Sequence, residues 1–276
     1  MIKLLAFDLD GTTIIEHQRL SRENRRALLA AAEQGVELVP CTGRMLSFLP
    51  PEICELPGVR YAITSNGAAV YDLQSGEAVY QSLIPNEKAL RVQAILDEYD
   101  VYIEYYRDGS AITRRDFPEQ AQSFFAIPEV KMFFVRGKEY TFIEDFNAHL
   151  RETGLCPEKI NLPFLQREIR QEIWQRLEKL GGLRLTSSLP DNLEINDAKA
   201  HKGATLLALA ERLQLSREEL MAIGDNGNDV SMLEVAGCSA AVADGAPEAL
   251  AAAKHITCAH DKDGVAKAID TYILQK

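Results

Sequence analysis

Short, mainly apolar segments recur along the chain, and each ends at a turn that carries polar residues. The first is Leu4–Phe7, and similar segments occupy 36–39, Tyr61–Thr64 and 220–223. Unbroken apolar runs of about four residues are typical of strands buried on both faces of a sheet. The pattern therefore predicts a buried sheet with functional groups at its strand ends.

Helical patterns separate these segments. Ser21 can cap a helix that carries Leu28 and Leu29 and ends at Gly35, and Lys202 opens a second helix with an apolar face. Strand–helix–strand order favours a parallel sheet, so this part of the chain is predicted to be a doubly wound, mainly parallel, Rossmann-like α/β core. After the hairpin-like pattern at 68–80, helices are also expected at 230–236, from Pro247 and from Gly264.

The pattern changes between about residues 84 and 190, where helices and antiparallel strands are predicted. The expected helices are 86–99, 140–150 and 168–180, and the expected strands are 101–106, 111–113, 130–135 and 183–186. This segment is interpreted as an inserted α+β cap domain. The predicted division is core over 1–83, cap over 84–190 and core again over 191–276, beginning with a short strand at 192–195.

Composition narrows the functional classes. The chain has 276 residues, of which 46% are hydrophobic and 26% charged, as in soluble globular proteins of two domains. A net charge of −11 argues against nucleic acid as a partner. No apolar run approaches a membrane span, no leader precedes the first strand, and five scattered cysteines fit reduced thiols. A cytoplasmic location and no membrane association are expected.

Acidic residues follow two of the predicted strands. Asp8 and Asp10 come after the first strand, and Asp225 comes after the segment 220–223. Carboxylates gathered at one sheet edge repel each other unless a cation lies between them, and Mg²⁺ prefers such oxygen ligands. Lys202 at a helix N-terminus is favourable if an anion such as phosphate binds there. The sequence thus predicts a magnesium and phosphate site.

Five motifs occur in order: FDLDGT, CTGR, the helix-opening Lys202-Gly203, GDNGND and DKDGVAKAI. In this combination the chain resembles the Cof-like phosphatase branch of the haloacid dehalogenase-like hydrolase superfamily. The resemblance covers the whole core, and the insertion looks like the type 2 (C2B-like) cap of that branch. Cys41 stands where an alanine is common, and a buried thiol suits that position.

The resemblance implies roles for individual residues. Asp8 would be the nucleophile and Asp10 the general acid and base, with Lys202 holding phosphate oxygens. Mg²⁺ would be held by Asp8, by the backbone carbonyl of Asp10, and by Asp225. The remaining expected contacts are Leu9, Thr42, Gly43 and Asn228 with phosphate, Asp229 in support, and Arg44 and Asn66 with the substrate.

The expected function is hydrolysis of small phosphorylated metabolites, such as sugar phosphates, through an aspartyl-phosphate and with Mg²⁺. A phosphosugar mutase on the same core stays open, because only its products differ. A phosphoacceptor signalling domain also gathers acids and a lysine at strand ends, but it needs neither a second acid at position 10 nor a cap. A binding protein without turnover would not need every catalytic position that is present here.

Overall fold

The computed structural model of the protein describes residues 1–15, 19–114, 140–188 and 191–275. The chain forms two compact units. The core unit consists of Met1–Arg44, Leu49–Gln81 and His201–Lys276, and the inserted unit consists of Met45–Phe48 and Ser82–Ala200. Within the described ranges, no helix combines the length and the apolar character that crossing a membrane requires.

A five-stranded parallel sheet forms the centre of the core unit. Its strands are β1 (Leu4–Phe7), β4 (Glu37–Pro40), β14 (Leu220–Gly224), β15 (Cys238–Ala241) and β16 (His255–Ile256). Their order is β16-β15-β14-β1-β4, and every neighbouring pair is parallel. All four side chains of β1 are fully buried, which explains its unbroken apolar sequence. The predicted α/β fold class is confirmed.

Helices lie between and after the strands of the core unit along the chain. In the core unit they are α1 (Arg22–Glu33), α2 (Pro51–Cys54), α6 (Lys202–Arg212), α7 (Val230–Val235), α8 (Pro247–Ala252) and α9 (Gly264–Tyr272). The Ser21 side chain accepts a hydrogen bond from the Asn24 amide at 3.0 Å, so the predicted cap is confirmed. Leu206, Leu209 and Met232 pack into one apolar cluster with Leu4 and Ala222 of the sheet.

A smaller antiparallel sheet follows the second parallel strand of the chain. It contains β5 (Tyr61–Thr64), β6 (Ala69–Asp72) and β7 (Ala78–Gln81), which confirms the predicted hairpin. A parallel bridge between Cys41 and Ile63 joins its first strand to the end of β4. Two further short strands, β2 (Ile14–Ile15) and β3 (Arg19–Leu20), pair near the first motif.

The inserted unit contains a six-stranded sheet with helices on one face. Its strands are β8 (Glu104–Arg107), β9 (Ser110–Arg114), β10 (Tyr140–Ile143), β11 (Lys159–Leu162), β12 (Leu183–Thr186) and β13 (Leu193–Asp197), in the order β10-β9-β8-β11-β13-β12. The helices in its described residues are α3 (Asn86–Leu96), α4 (Phe146–Thr153) and α5 (Arg167–Leu180). Tyr105, Ile160 and Ile195 lie side by side on the face that packs against these helices.

One predicted helix is wrong at its start. Residues 140–143 form strand β10, and the helix begins only after Asp145, whose side chain accepts from the Ala148 amide at 2.6 Å. Asp is a strong N-cap, so it marks the helix start better than the apolar spacing does. Strand β10 also pairs parallel with β9, although only antiparallel strands are expected here.

The predicted boundary at residue 191 differs from the structure. Residues 191–200 belong to the inserted unit, because β13 pairs with β11 on one side and β12 on the other. A short apolar strand fits either sheet, and only the pairing decides which one it joins. The predicted strand at 130–135 lies outside the described residues.

Candidate active site

Three neighbouring strand ends of the core unit carry the candidate groups. Strand β1 lies between β4 and β14, and the Asp8 amide donates to the Ile223 carbonyl at 2.9 Å. The Cys41 amide likewise donates to the Phe7 carbonyl at 2.8 Å, which brings Thr42 to the same edge. This edge holds the carboxyl ends of parallel strands, where open α/β sheets bind ligands.

A buried lysine joins two of the aspartates. The ammonium of Lys202 lies 2.6 Å from Oδ1 of Asp8 and 2.6 Å from Oδ1 of Asp229. The side chains of Lys202 and Asp229 are fully buried, and that of Asp8 is 8% exposed. Burial of an ammonium is unfavourable without such partners, so the two carboxylates explain why a lysine lies here.

Asp229 also shapes the loop that carries Asp225. Its Oδ2 accepts from the backbone amides of Asp225 and Asn226, both at 3.0 Å. A Cβ at position 224 would lie 2.6 Å from the Asp229 Cβ, so only glycine fits there. Asp229 therefore contacts both Lys202 and the start of the 225–228 loop.

Thr12, the last residue of the first motif, and the adjacent Thr13 each donate a hydrogen bond to one of the aspartates. Thr12 donates to Oδ1 of Asp225 at 2.6 Å, and Thr13 donates to the backbone carbonyl of Asp8 at 2.5 Å. Gly11 has φ +79°, and a Cβ there would lie 2.7 Å from Oδ2 of Asp225. Sequence reasoning missed both threonine contacts, although the threonines directly follow DLDG in the first motif.

The pKa values of the site reflect an excess of carboxylates over cations. Burial raises the pKa of Asp8 well above its ordinary value, the charges of Asp229 and Asp225 add to this, and Lys202 opposes it. Burial and then Asp229 raise the pKa of Asp225 to about 6. For Lys202, burial lowers the pKa, but Asp229 and Asp8 outweigh it, so its pKa is well above the ordinary value.

These acids fit a divalent metal ion. One oxygen from each of Asp8, Asp225 and Asp229 lies within 4.8 Å of the others. Three carboxylates around a single ammonium leave negative charge that a hard cation would balance, and oxygen donors suit Mg²⁺. A bound cation would also favour the ionised forms of Asp8 and Asp225.

Asp10 lies outside this group of three and pairs with Arg44. The guanidinium donates from Nε to Oδ2 at 2.7 Å and from Nη2 to Oδ1 at 2.6 Å. This is a two-point ion pair between residues 34 positions apart in the chain. The predicted role of the Asp10 carbonyl at the metal stays a prediction.

A buried turn supports the second motif. The Asn66 amide donates to the Thr42 carbonyl at 3.1 Å, and Nδ2 of Asn228 donates to Oδ1 of Asn66 at 3.2 Å. Ser65 and Asn66 both have positive φ, 52° and 61°, in a fully enclosed position. The turn therefore links the second and fourth motifs, and the predicted substrate contact of Asn66 stays a prediction.

The structure brings most of the predicted residues to one edge. Asp8, Lys202, Asp225 and Asp229 form a single cluster, Asp10 pairs with Arg44, and Asn66 pairs with Asn228. The predicted phosphate contacts of Leu9, Thr42, Gly43 and Asn228 stay predictions. Cys41 is fully buried, and burial raises the pKa of its thiol, so it packs as a small neutral side chain.

Comparison with known proteins gives similarities over nearly the whole chain. A model of the haloacid dehalogenase-like hydrolase family matches residues 5–269. Phosphatase YwpJ of Bacillus subtilis (strain 168) is 31% identical over 96% of this chain and 98% of that protein. 5-Amino-6-(5-phospho-D-ribitylamino)uracil phosphatase YcsE of the same organism is 28% identical over 99% and 96%. A haloacid dehalogenase-like hydrolase from B. subtilis has a structure that matches with TM-score 0.84 and 28% identity, over 99% and 100% of the two chains.

Proposed function

Because the chain belongs to the haloacid dehalogenase-like hydrolases, a family in which its relatives are named phosphatases, we propose that it hydrolyses small phosphate monoesters with Mg²⁺. The observation that carries the proposal is the group of Asp8, Asp225 and Asp229, of which Asp8 and Asp229 are buried and contact Lys202. Such a group offers a nucleophile, a cation site and a fixed positive charge together. Sugar phosphates and similar metabolites are the proposed substrates.

In the first step, a carboxylate oxygen of Asp8 attacks phosphorus, and the bond to the leaving oxygen breaks. Lys202 holds Asp8 in place and offsets charge on the phosphoryl oxygens, and Asp10 gives a proton to the leaving alkoxide. The hydroxyl of Thr42 accepts from the Arg44 amide at 3.1 Å, so its own hydrogen is available to a phosphate oxygen.

In the second step, Asp10 takes a proton from water, which attacks the phosphorus of phosphorylated Asp8. The Asp8–phosphate bond breaks, inorganic phosphate leaves, and the carboxylate is restored. Mg²⁺, held by Asp8, Asp225 and the Asp10 carbonyl, would neutralise phosphoryl oxygens and so lower the repulsion against an anionic nucleophile. Asp229 and Thr12 keep the 225–228 loop and Asp225 in position.

We also propose that the inserted unit selects the substrate. It has its own apolar core, and it interrupts the core unit between the second and third motifs, CTGR and Lys202. Substrate choice can then vary without changing the groups that perform the chemistry. Removal of the insertion should impair discrimination among substrates more than hydrolysis of a small aryl phosphate.

Phosphate release in the presence and absence of Mg²⁺ tests the proposal. The purified protein, stripped with chelator, should hydrolyse p-nitrophenyl phosphate and a panel of sugar phosphates only after Mg²⁺ is restored. Isomerised sugar phosphate without free phosphate would instead identify a mutase. Full activity after exhaustive metal removal would contradict the magnesium requirement.

A further inference from the structure

We infer that Arg44 gives the enzyme a preference for phosphate esters whose leaving group carries a second anionic group, because such an ester can draw Arg44 away from Asp10 and so speed hydrolysis. The inference rests on the proposed function. The chemistry required of the second group is an oxyanion with two oxygens, either a carboxylate or a second phosphate. Both can accept the two parallel hydrogen bonds of a guanidinium.

Both oxygens of the Asp10 carboxylate already accept hydrogen bonds. Arg44 contacts both of its oxygens, at 2.6 and 2.7 Å, and the Arg44 side chain is only 10% exposed. In the proposed mechanism this same carboxyl must face the leaving oxygen of the substrate. The ion pair and the proton transfer therefore compete for the same two atoms.

Movement of the Arg44 side chain can resolve this competition. Its backbone is held on both sides, since its amide donates to Oγ1 of Thr42 at 3.1 Å and its carbonyl accepts from the Ser65 amide at 2.9 Å. Ser65 itself lies in the buried turn with positive φ, where the backbone has little freedom to shift. Rotation of the guanidinium about its own side-chain torsions is therefore the available movement.

Lys202 cannot take over the recognition of a second anion. It is fully buried and already shared between Asp8 and Asp229 at 2.6 Å each. Arg44, in contrast, is paired with a carboxyl group that the proposed mechanism uses at the leaving oxygen. A neutral leaving group offers the guanidinium nothing in exchange for Asp10, whereas an anionic one replaces the lost ion pair.

Two matched substrate pairs test this inference. The first compares 3-phosphoglycerate with glycerol 3-phosphate, which differ by a carboxylate, and the second compares fructose 1,6-bisphosphate with fructose 6-phosphate, which differ by a phosphate. The wild-type protein with Mg²⁺ should show kcat/KM about 10–100-fold higher for the anionic member of at least one pair, as expected for charged hydrogen bonds. The pair that responds identifies the source of the anion.

Variants then assign the preference to Arg44. Arg44→Ala should bring the kcat/KM ratio of the two members of a pair close to one, mainly by raising KM for the anionic member. Arg44→Lys should restore part of this ratio, because it keeps the charge but not the two-point geometry. Arg60→Ala is the control, since Arg60 also forms an ion pair with an aspartate, Asp72 at 2.8 Å, in the same unit. It should keep the wild-type ratio.

The outcomes separate this inference from the proposed function. A wild-type ratio near one in both pairs, or an unchanged ratio in Arg44→Ala, overturns the role of Arg44 while phosphate release still supports the phosphatase. If the wild-type protein with Mg²⁺ releases phosphate from no ester, the proposed function fails, and the inference fails with it. If Arg60→Ala also lowered the kcat/KM ratio to about one, the preference would come from the overall positive charge of the protein and not from Arg44. That result would likewise overturn the inference.

Discussion

In the core unit Asp8, Asp225 and Asp229 gather beside one ammonium group, whereas in the inserted unit Glu104 and Glu194 each have partners of their own. Both units thus bury charge, but they stabilise it differently. In the core unit, Lys202 is divided between Asp8 and Asp229, and Asp225 has the neutral partner Thr12. The raised pKa values of Asp8 and Asp225 express the cost of this arrangement.

Neutral donors surround the Glu104 carboxylate in the inserted unit. The hydroxyls of Tyr102 and Tyr140 donate to Oε1 at 3.2 and 2.9 Å, and the hydroxyl of Tyr106 and the amide of Asn161 donate to Oε2 at 3.1 and 2.8 Å. Four donors satisfy both oxygens of one carboxylate without a metal ion.

The inserted unit also contains a buried ion pair of one cation and one anion. Lys159 lies 2.7 Å from Glu194, and their side chains are 2% and 5% exposed. The ammonium also lies 4.6 Å from the centre of the Tyr106 ring, a favourable cation–π distance. The inserted unit therefore satisfies Glu104 with neutral donors and Glu194 with a cation, whereas Asp8 and Asp225 of the core unit are left with raised pKa values.

The largest expected effect comes from Asp8. Asp8→Asn should lower turnover by about 10⁴-fold or more and leave no covalent phosphoenzyme, because an amide is not an anionic nucleophile. Single-turnover assays with a substrate labelled in its phosphoryl group measure turnover. Mass spectrometry of an acid-quenched digest measures the phosphoenzyme.

Asp10→Asn is the informative control for this change. Loss of the acid and base should slow turnover by about 10²–10⁴-fold for each step it serves. With p-nitrophenyl phosphate, which needs little leaving-group protonation, phosphate should accumulate on Asp8. Direct transfer of phosphate to water, with no label entering Asp8, would show that the covalent mechanism is wrong.

The contrast between the two units also explains what the sequence could predict. Asp8, Asp225 and Lys202 were predictable, because each lies in a short motif at a strand end or a helix start. The pairing of Arg44 with Asp10 was not, since it depends on side-chain torsions that no spacing specifies.

The polar cluster of the inserted unit was hidden for another reason. Glu104, Asn161 and Glu194 lie in one row only because β8, β11 and β13 pair in a particular register. A shift by one residue would exchange this row with the apolar row of Tyr105, Ile160 and Ile195. Long-range register cannot be obtained from local patterns, and the same limit explains the misassigned strand β13.

A smaller effect is expected from Mg²⁺ on stability, and it should depend on pH. In the metal-free folded protein the pKa of Asp225 is raised from 3.8 to about 6, so the folded state holds a proton that the unfolded state releases between these values. The contribution of Asp225 to the free energy of unfolding is therefore fully present below about pH 4. It is lost as pH rises through about 6, a decrease of up to about 3 kcal/mol. The raised pKa of Asp8 acts in the same direction.

Mg²⁺ favours the ionised carboxylates, so it should raise Tm more at about pH 7.5 than at about pH 5. Thermal unfolding with and without Mg²⁺ at both pH values measures the difference. Asp225→Asn should remove the part of this pH dependence that Asp225 contributes and leave the part from Asp8. Equal stabilisation by Mg²⁺ at both pH values in the wild-type protein would contradict the assignment of Asp225 to the metal.

The smallest effect is expected from Glu104→Gln, which tests whether the inserted unit is stable without a cation. An amide accepts at one atom and donates at the other, so the hydrogen bonds from Tyr106 and Asn161 or those from Tyr102 and Tyr140 must rearrange. The free energy of unfolding should fall by about 1–2 kcal/mol, measured by denaturant titration. Glu152→Gln, at an exposed helix position, is the control and should change stability by less than about 0.5 kcal/mol.

Mg²⁺ should stabilise the Glu104 variant and the wild-type protein equally, because the metal is proposed to bind only in the core unit. A loss of Mg²⁺ stabilisation in Glu104→Gln would mean that the cluster in the inserted unit also depends on a cation, and the contrast between the two units would then be wrong.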